Sequence, residues 1–137
     1  MKQVEVVAAI VMKDQKILTV QKGVAKKEYM SFKWEFPGGK VEAGETLETA
    51  LTREILEELN LVVQPKNLLI TIEHDYPDFY LKMHCFICDY IEGDLILHEH
   101  IQAVWLDITE LNHLDWAEAD IPVIPEIENY LLSVRSY

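Results

Sequence analysis

Residues 4–12 read Val-Glu-Val-Val-Ala-Ala-Ile-Val-Met, a nearly continuous apolar run. A strand of this kind is buried on both faces and lies centrally in its sheet. Asp14-Gln15 turns the chain, and residues 17–20 supply a second short strand. Between residues 22 and 33 the apolar periodicity fails, which predicts a loop. Trp34-Glu35-Phe36 alternates like a short strand that Pro37-Gly38-Gly39 ends. Residues 46–59 hold neither Gly nor Pro and are rich in Leu, Glu and Ala, so they form the clearest helix. Residues 68–73 and 80–90 read as strands joined by a turn at Tyr76-Pro77-Asp78. Residues 103–106 predict another strand, and residues 121–134 a closing helix despite Pro122 and Pro125. The order β-β-β-α-β-β-β-α predicts an α/β fold, an α/β/α sandwich with a mixed central sheet. At 137 residues, without repeats or a linker, the chain is expected to be one domain spanning 1–137.

The formal net charge of −12 argues against binding duplex nucleic acid, which needs an excess of Lys and Arg. It leaves room for a small phosphorylated substrate, because carboxylates bind phosphate through metal ions. No apolar run reaches the roughly 20 residues of a membrane span, and Met1-Lys2-Gln3 leads straight into the first strand. A cytoplasmic protein with no membrane partner, a monomer or weak homodimer, is the expectation. Cys85 and Cys88 lie three apart in a strand-like run, so they point to opposite faces and cannot share a metal. Two buried, reduced thiols are expected.

At 3.6 residues per turn, Glu54, Glu57 and Glu58 share an arc of roughly 100° on the predicted helix. Leu51, Ile55, Leu56 and Leu59 fill the adjoining arc and are expected to face the core. Like charges at i and i+4 cost about 0.2–0.5 kcal/mol per pair. A bare acidic face is the ordinary reading of such a helix, but the residues upstream favour a cation site. Gly38-Gly39 lets backbone approach a ligand and leaves carbonyls free. The helix N-terminus beyond it offers unpaired N–H groups suited to phosphate. Oxygen donors without Cys or His suit Mg²⁺ or Mn²⁺.

Gly39, five residues, Glu45, seven residues, then Arg53-Glu54-Ile55-Leu56-Glu57-Glu58-Leu59-Asn60-Leu61 resembles the Nudix box. That pattern reads Gly-x5-Glu-x7-Arg-Glu-U-x-Glu-Glu-x-Gly-U, with U aliphatic. One fixed position departs, where the family's glycine is Asn60. A helix C-terminus needs a left-handed residue there, and Asn is the usual substitute. Val6-Val7-Ala8-Ala9-Ile10, residues 34–40 and residues 116–122 are similar to the MutT branch, which includes 8-oxo-dGTP diphosphatases and CTP pyrophosphohydrolases. The resemblance implies a small-molecule nucleotide substrate, attacked by water at the β-phosphorus to give a nucleoside monophosphate and pyrophosphate. It also implies metal ions that neutralise phosphate oxygens and activate the water.

By position, the resemblance makes Glu54, Glu57 and Glu58 metal ligands, joined by the Gly38 carbonyl. Glu54 or Glu45 would orient or deprotonate the water, and Arg53 would fix the carboxylates. Glu99, before the Val-Trp strand, is either a further ligand or an exposed loop charge. The flanking His98 and His100 are expected to be solvated or packing residues, because hard cations favour oxygen. Lys22 and Lys40 are candidates for the triphosphate, with Gly39 beside them. Lys26, Lys27 and Lys33 could add to a basic steering loop. Asp120 aligns with the base-reading position, accepting from exocyclic amino groups. It is equally a good helix N-cap. Phe36, Phe79, Tyr80 and Trp116 either stack the base or fill the core.

Overall fold

The computed structural model describes residues 2–135. Met1, Ser136 and Tyr137, the ends of the expected 1–137 domain, lie outside the described residues. Strand β1 (Lys2–Lys13) is the axis of a seven-stranded sheet. From Lys2↔Phe79 to Met12↔Asp89 it pairs in parallel with β6 (Phe79–Glu92). Its end turns back antiparallel into β2 (Lys16–Lys22) through Asp14 and Gln15, whose φ values are 52° and 66°. Left-handed backbone at both central residues is what a two-residue type I′ hairpin demands. β2 in turn pairs with β3 (Trp34–Glu35) and β7 (His100–Leu106), and β6 pairs with the edge strand β5 (Val62–Tyr76). Only β1–β6 is parallel among these pairs, so the sheet is mixed.

The period of two along β1 separates two apolar layers. Ala8 and Ile10 join Met83, Cys85 and Ile87 beneath Val123, Ile124 and Ile127 of helix α2 (Val123–Arg135). Val7, Ala9 and Val11 join Phe86 and Cys88 beneath Leu51, Ile55 and Leu59 of helix α1 (Leu47–Leu59). The molecule is thus the expected α/β/α sandwich. The two thiols fall in opposite layers, both free and buried, and burial pushes Cys88 up to about 12 and Cys85 higher still. Pro122 precedes α2 and Pro125 sits in its first turn, where the missing N–H is not needed.

Several boundaries differ from the sequence expectation. Pro37-Gly38-Gly39 does not end the sheet, because the chain re-enters it as β4 (Gly38–Lys40), antiparallel to β1 at Val6–Ala8. Strand β5 begins at Val62, six residues before the predicted start. Pro65 hides that start, and an edge strand with register shifts around Pro65–Asn67 and Leu68–Ile70 tolerates it. Leu56 is 49% exposed rather than in the core. It projects about 100° from Ile55, past the stripe of Leu51, Ile55 and Leu59.

Candidate active site

Helix α1 starts where the Thr46 side chain accepts the Thr49 N–H at 3.1 Å. It ends at Asn60, left-handed with φ 59° and ψ 29°, whose side-chain amide donates to the Asp94 carbonyl at 3.0 Å. With Ile55 pointing into the core, Glu58 projects about 60° to one side and Glu54 about 100°. Glu57 projects about 160° away from the core direction. That ordering is visible in side-chain exposure, 13% for Glu54 against 57% for Glu57.

Arg53 organises the carboxylates. Its Nε and Nη2 donate to both oxygens of Glu45 at 2.7 and 2.8 Å, a bidentate fork. Nη1 donates to Glu54 at 2.9 Å and Glu57 at 3.2 Å, and Nη2 also donates to the Lys40 carbonyl at 3.1 Å. The Arg53 contacts, with the Glu42 N–H donated to Glu45, lower the Glu45 carboxyl from an ordinary 4.5 to about 2. A depressed carboxyl contributes stability that is complete above the ordinary value and lost as pH falls through the depressed one. Glu45→Gln is therefore expected to lower Tm at pH 7, with the gap to wild type closing between about pH 4.5 and 2. Thermal melts across that range check it, and a gap independent of pH would break the assignment.

Gly39, which opens the box, and Gly38 before it both serve close packing. A Cβ on Gly38 would lie 1.8 Å from the Val7 carbonyl oxygen, so only glycine lets β4 lie against β1. A Cβ on Gly39 would lie 2.1 Å from Glu54 Oε2, so this glycine makes room for the carboxylate.

Beside them runs a cleft of about 950 Å³ along the α2 face of β1 and β6. At one end it is lined by Gly38, Gly39, Lys40, Glu54, Glu58 and Glu99. Glu58 Oε2 is buried with no hydrogen-bond partner. Burial first, then the charges of Glu99 and Glu54, raise the Glu58 carboxyl, and His100 opposes them. A buried, unpartnered carboxylate oxygen facing like charges costs free energy unless a cation compensates it. An oxygen-only donor set suits a divalent cation of the Mg²⁺ class. Among the described residues no three His, Cys, Asp or Glu side chains already close around one point. A cation would have to draw Glu54, Glu58 and Glu99 together.

The other end of the cleft is apolar and aromatic, lined by Phe36, Tyr76, Phe79, Leu81 and Met83, with Asp120 among them. Asp120 is 5% exposed, and its Oδ2 accepts the Phe36 N–H at 3.0 Å. That bond corrects the helix-cap expectation, since the carboxyl ties the segment before α2 to the strand β3 region instead. Burial first, and then Glu35, hold the Asp120 carboxyl well above the usual carboxylate range. Of the four aromatic candidates, Phe36 and Phe79 line the cleft and two do not. Trp116 is buried behind Phe36, ring centroids 4.6 Å apart, with its N–H donated to the Leu111 carbonyl at 2.7 Å. Tyr80 falls on the opposite face of β6 from Phe79 and Leu81 and donates to Glu73 at 2.5 Å.

Glu45, Arg53 and Glu57 do not line the cleft and stand behind Glu54. Among the basic residues, Lys2, Lys22, Lys27 and Lys40 line it, and Lys26 and Lys33 do not. Lys22 lies 3.7 Å from Glu35, Lys27 pairs with Asp78, and Lys33 pairs with Asp115 at 2.9 Å. The steering loop is thus largely neutralised by its own partners. Glu35, which the sequence did not single out, and His100, expected to be solvated or packing, also line the cleft. Strand alternation around Trp34 and Phe36 was the available signal for Glu35. For His100 the signal was its place beside Glu99.

Residues 1–127 match the family model described as NUDIX domain. The chain is 30% identical over 128 residues to an 8-oxo-dGTP diphosphatase of Escherichia coli, covering 93% of this chain and 98% of that one. It is 35% identical over 124 residues to an E. coli CTP pyrophosphohydrolase, covering 90% of each. Among solved structures, it resembles the MutT Nudix hydrolase of methicillin-resistant Staphylococcus aureus at 40% identity and TM-score 0.76, covering 95% of this chain and 99% of that one.

Proposed function

The chain belongs to the Nudix family of hydrolases, and we propose that within it residues 1–137 form one domain acting as a MutT-type nucleoside triphosphate pyrophosphohydrolase. The observation that carries this reading is the single cleft joining the unpartnered Glu58 oxygen to the buried Asp120. A nucleotide fits that polarity, polyphosphate among the carboxylates and base among the aromatic side chains. Nudix hydrolases generally use divalent metal ions. Here Glu54, Glu58 and Glu99, with the Gly38 carbonyl, would hold Mg²⁺ or Mn²⁺, and Glu57, which lies outside the cleft lining, would join them only by turning from Arg53. The cation would neutralise the phosphate oxygens and lower the pKa of the attacking water.

The chain's own residues do the rest. Glu54, fixed by Arg53 on one oxygen and given room by Gly39 on the other, orients or deprotonates the water. Glu45 holds Arg53 in its fork, which makes Glu54 the better candidate for the base. Lys22 and Lys40 contact the triphosphate as point charges. Phe36 and Phe79 flank the base. Asp120 reads it. With Oδ2 engaged by the Phe36 N–H, the second carboxyl oxygen is the atom left to meet the base.

The test is a turnover panel with Mg²⁺ comparing 8-oxo-dGTP, dGTP, CTP, 5-methyl-dCTP and ADP-ribose, scoring pyrophosphate against phosphate. The expected result is pyrophosphate release with an oxidised purine triphosphate turned over fastest. Preference for CTP or 5-methyl-dCTP would move the reading to the cytidine substrate of the second E. coli relative. ADP-ribose as the best substrate would overturn the MutT assignment. In the same panel, Asp120→Ala is expected to change the ranking of bases more than the best kcat. Equal loss on every nucleotide would give Asp120 a purely structural role through Phe36.

A further inference from the structure

Glu99 enters the cleft from a stretch of chain that lies outside the sheet and helices. Residues 93–97 carry no helix or strand, and β7 begins only at His100. Opposite that start the β2–β7 register shifts between Gln21 and Lys22. The Glu99 side chain is exposed and makes no hydrogen bond or ion pair among the described residues. A carboxylate so free loses conformational entropy when it ligates a cation, which weakens binding.

The next residue is the reverse. The His100 side chain is only 8% exposed, and its Nε2 lies 2.8 Å from Glu35 Oε2. A carboxylate only accepts, so Nε2 carries a proton and donates it. Glu35 is held by the pairing of β3 with β2, and its other oxygen lies 3.7 Å from Lys22. His100 therefore ties the first residue of β7 to the far side of the cleft. A second observation marks the same place as incomplete. Among the described residues, the buried side-chain N and O atoms without a hydrogen-bond partner are Glu58 Oε2 and His100 Nδ1. Both residues line this cleft.

We propose that His100, anchored by Glu35, is a positioning residue that holds Glu99 over against Glu58 and thereby sets the affinity of the site for a divalent cation. The proposal rests on the reading of Glu99 as a metal ligand. Partners outside the ligand sphere fix ligand geometry, and losing one weakens metal binding about 10- to 100-fold. The competing account is a buried histidine that pins β7 to β3 for stability alone.

Direct titration of the nucleotide-free protein with Mn²⁺, followed by the electron paramagnetic resonance of the free ion, separates the two accounts when Tm is recorded alongside. His100→Phe and Glu35→Ala are each expected to weaken Mn²⁺ binding at least about tenfold. His100→Gln, which keeps a donor within reach of Glu35, is expected to recover most of that loss. Glu99→Gln should weaken binding similarly, and adding His100→Phe to it should do little more, because both changes remove one ligand's contribution. If Glu99→Gln weakens binding while His100→Phe and Glu35→Ala bind normally, the anchoring role is refuted and Glu99 keeps its assignment. If Glu99→Gln itself binds Mn²⁺ normally, the ligand reading fails and the anchoring role with it. Should His100→Phe not fold, Glu35→Ala decides, since it breaks the same bond from a more exposed side chain.

Discussion

Glu58→Gln is expected to lower kcat at least about 10²-fold, the scale of losing a metal ligand or a catalytic base. The metal-free protein should melt no lower than wild type, and higher where the lost charge dominates. The two effects diverge because the Glu58 carboxylate is a liability until a cation arrives. Its carboxyl is raised by burial and by Glu99 and Glu54, so the folded state favours its protonated form. The sign follows: that contribution is present below the ordinary carboxyl value and lost as pH rises through the raised one. Near neutrality the folded protein therefore carries an unfavourable charge that glutamine removes. Glu54→Gln is expected to match the loss of kcat, since it takes away the carboxylate that Gly39 makes room for and Arg53 holds. Glu57→Gln should cost less than Glu58→Gln, because Glu57 is 57% exposed and points away from the cleft. Steady-state kinetics at saturating Mg²⁺ with paired melts decide the matter. Near-normal turnover in both Glu54→Gln and Glu58→Gln would remove the catalytic end of the cleft from this position.

Gly38→Ala and Gly39→Ala are expected to fail in different ways despite being neighbours. The new Cβ of Gly38→Ala meets backbone, 1.8 Å from the Val7 oxygen and 2.8 Å from its carbonyl carbon, so β4 must leave β1. Backbone displacement on that scale costs about 3 kcal/mol or more, on the order of 10 °C in Tm. The new Cβ of Gly39→Ala meets only the end of the Glu54 side chain, at 2.1 Å from Oε2. The carboxylate can swing aside, so stability should fall little while kcat falls nearly as far as in Glu54→Gln. A thermal melt and one kinetic run on each variant test the contrast. Equal Tm losses would show that Gly39, too, is there for the backbone.

Where side-chain pattern decides structure, the sequence was readable. The apolar run of β1 announced a strand covered on both faces, and the spacing of Cys85 and Cys88 placed them in opposite layers. Asn60 was legible as a left-handed helix end from its type alone. What escaped involved partners distant in sequence. Gly38 and Gly39 look like a breaker until the proximity of Val7 and Glu54 is known. Asp120 has the local signature of a cap, yet its partner is the Phe36 amide 84 positions earlier. Leu56 belongs to the apolar set by composition but lies beyond the stripe that α1 buries. In the site, Glu54 and Glu58 were found together with Lys22, Phe36, Phe79 and Asp120 around one cleft, with Glu45 and Glu57 outside it. Tyr80 and Trp116 were not, because strand parity and one ring-on-ring contact decide which aromatic side chains face the cleft. The Glu35–His100 bond joins residues 65 apart, and no local pattern could announce it.

The parallel pairing of β1 with β6 also governs how the chain can come into being. From Lys2↔Phe79 to Met12↔Asp89, each residue of β1 finds its β6 partner 77 positions later. A chain emerging from the ribosome has therefore exposed β1, β2 and the whole of α1 before the strand that seals β1 exists. Long-range parallel pairing of this kind is slow and leaves apolar strands open to wrong partners in the interval. Helix α1 can fold early as a local unit, but its apolar stripe has no floor until β6 arrives. Synthesis that pauses between α1 and β6 would leave the half of the protein that carries the carboxylate helix in its most aggregation-prone form.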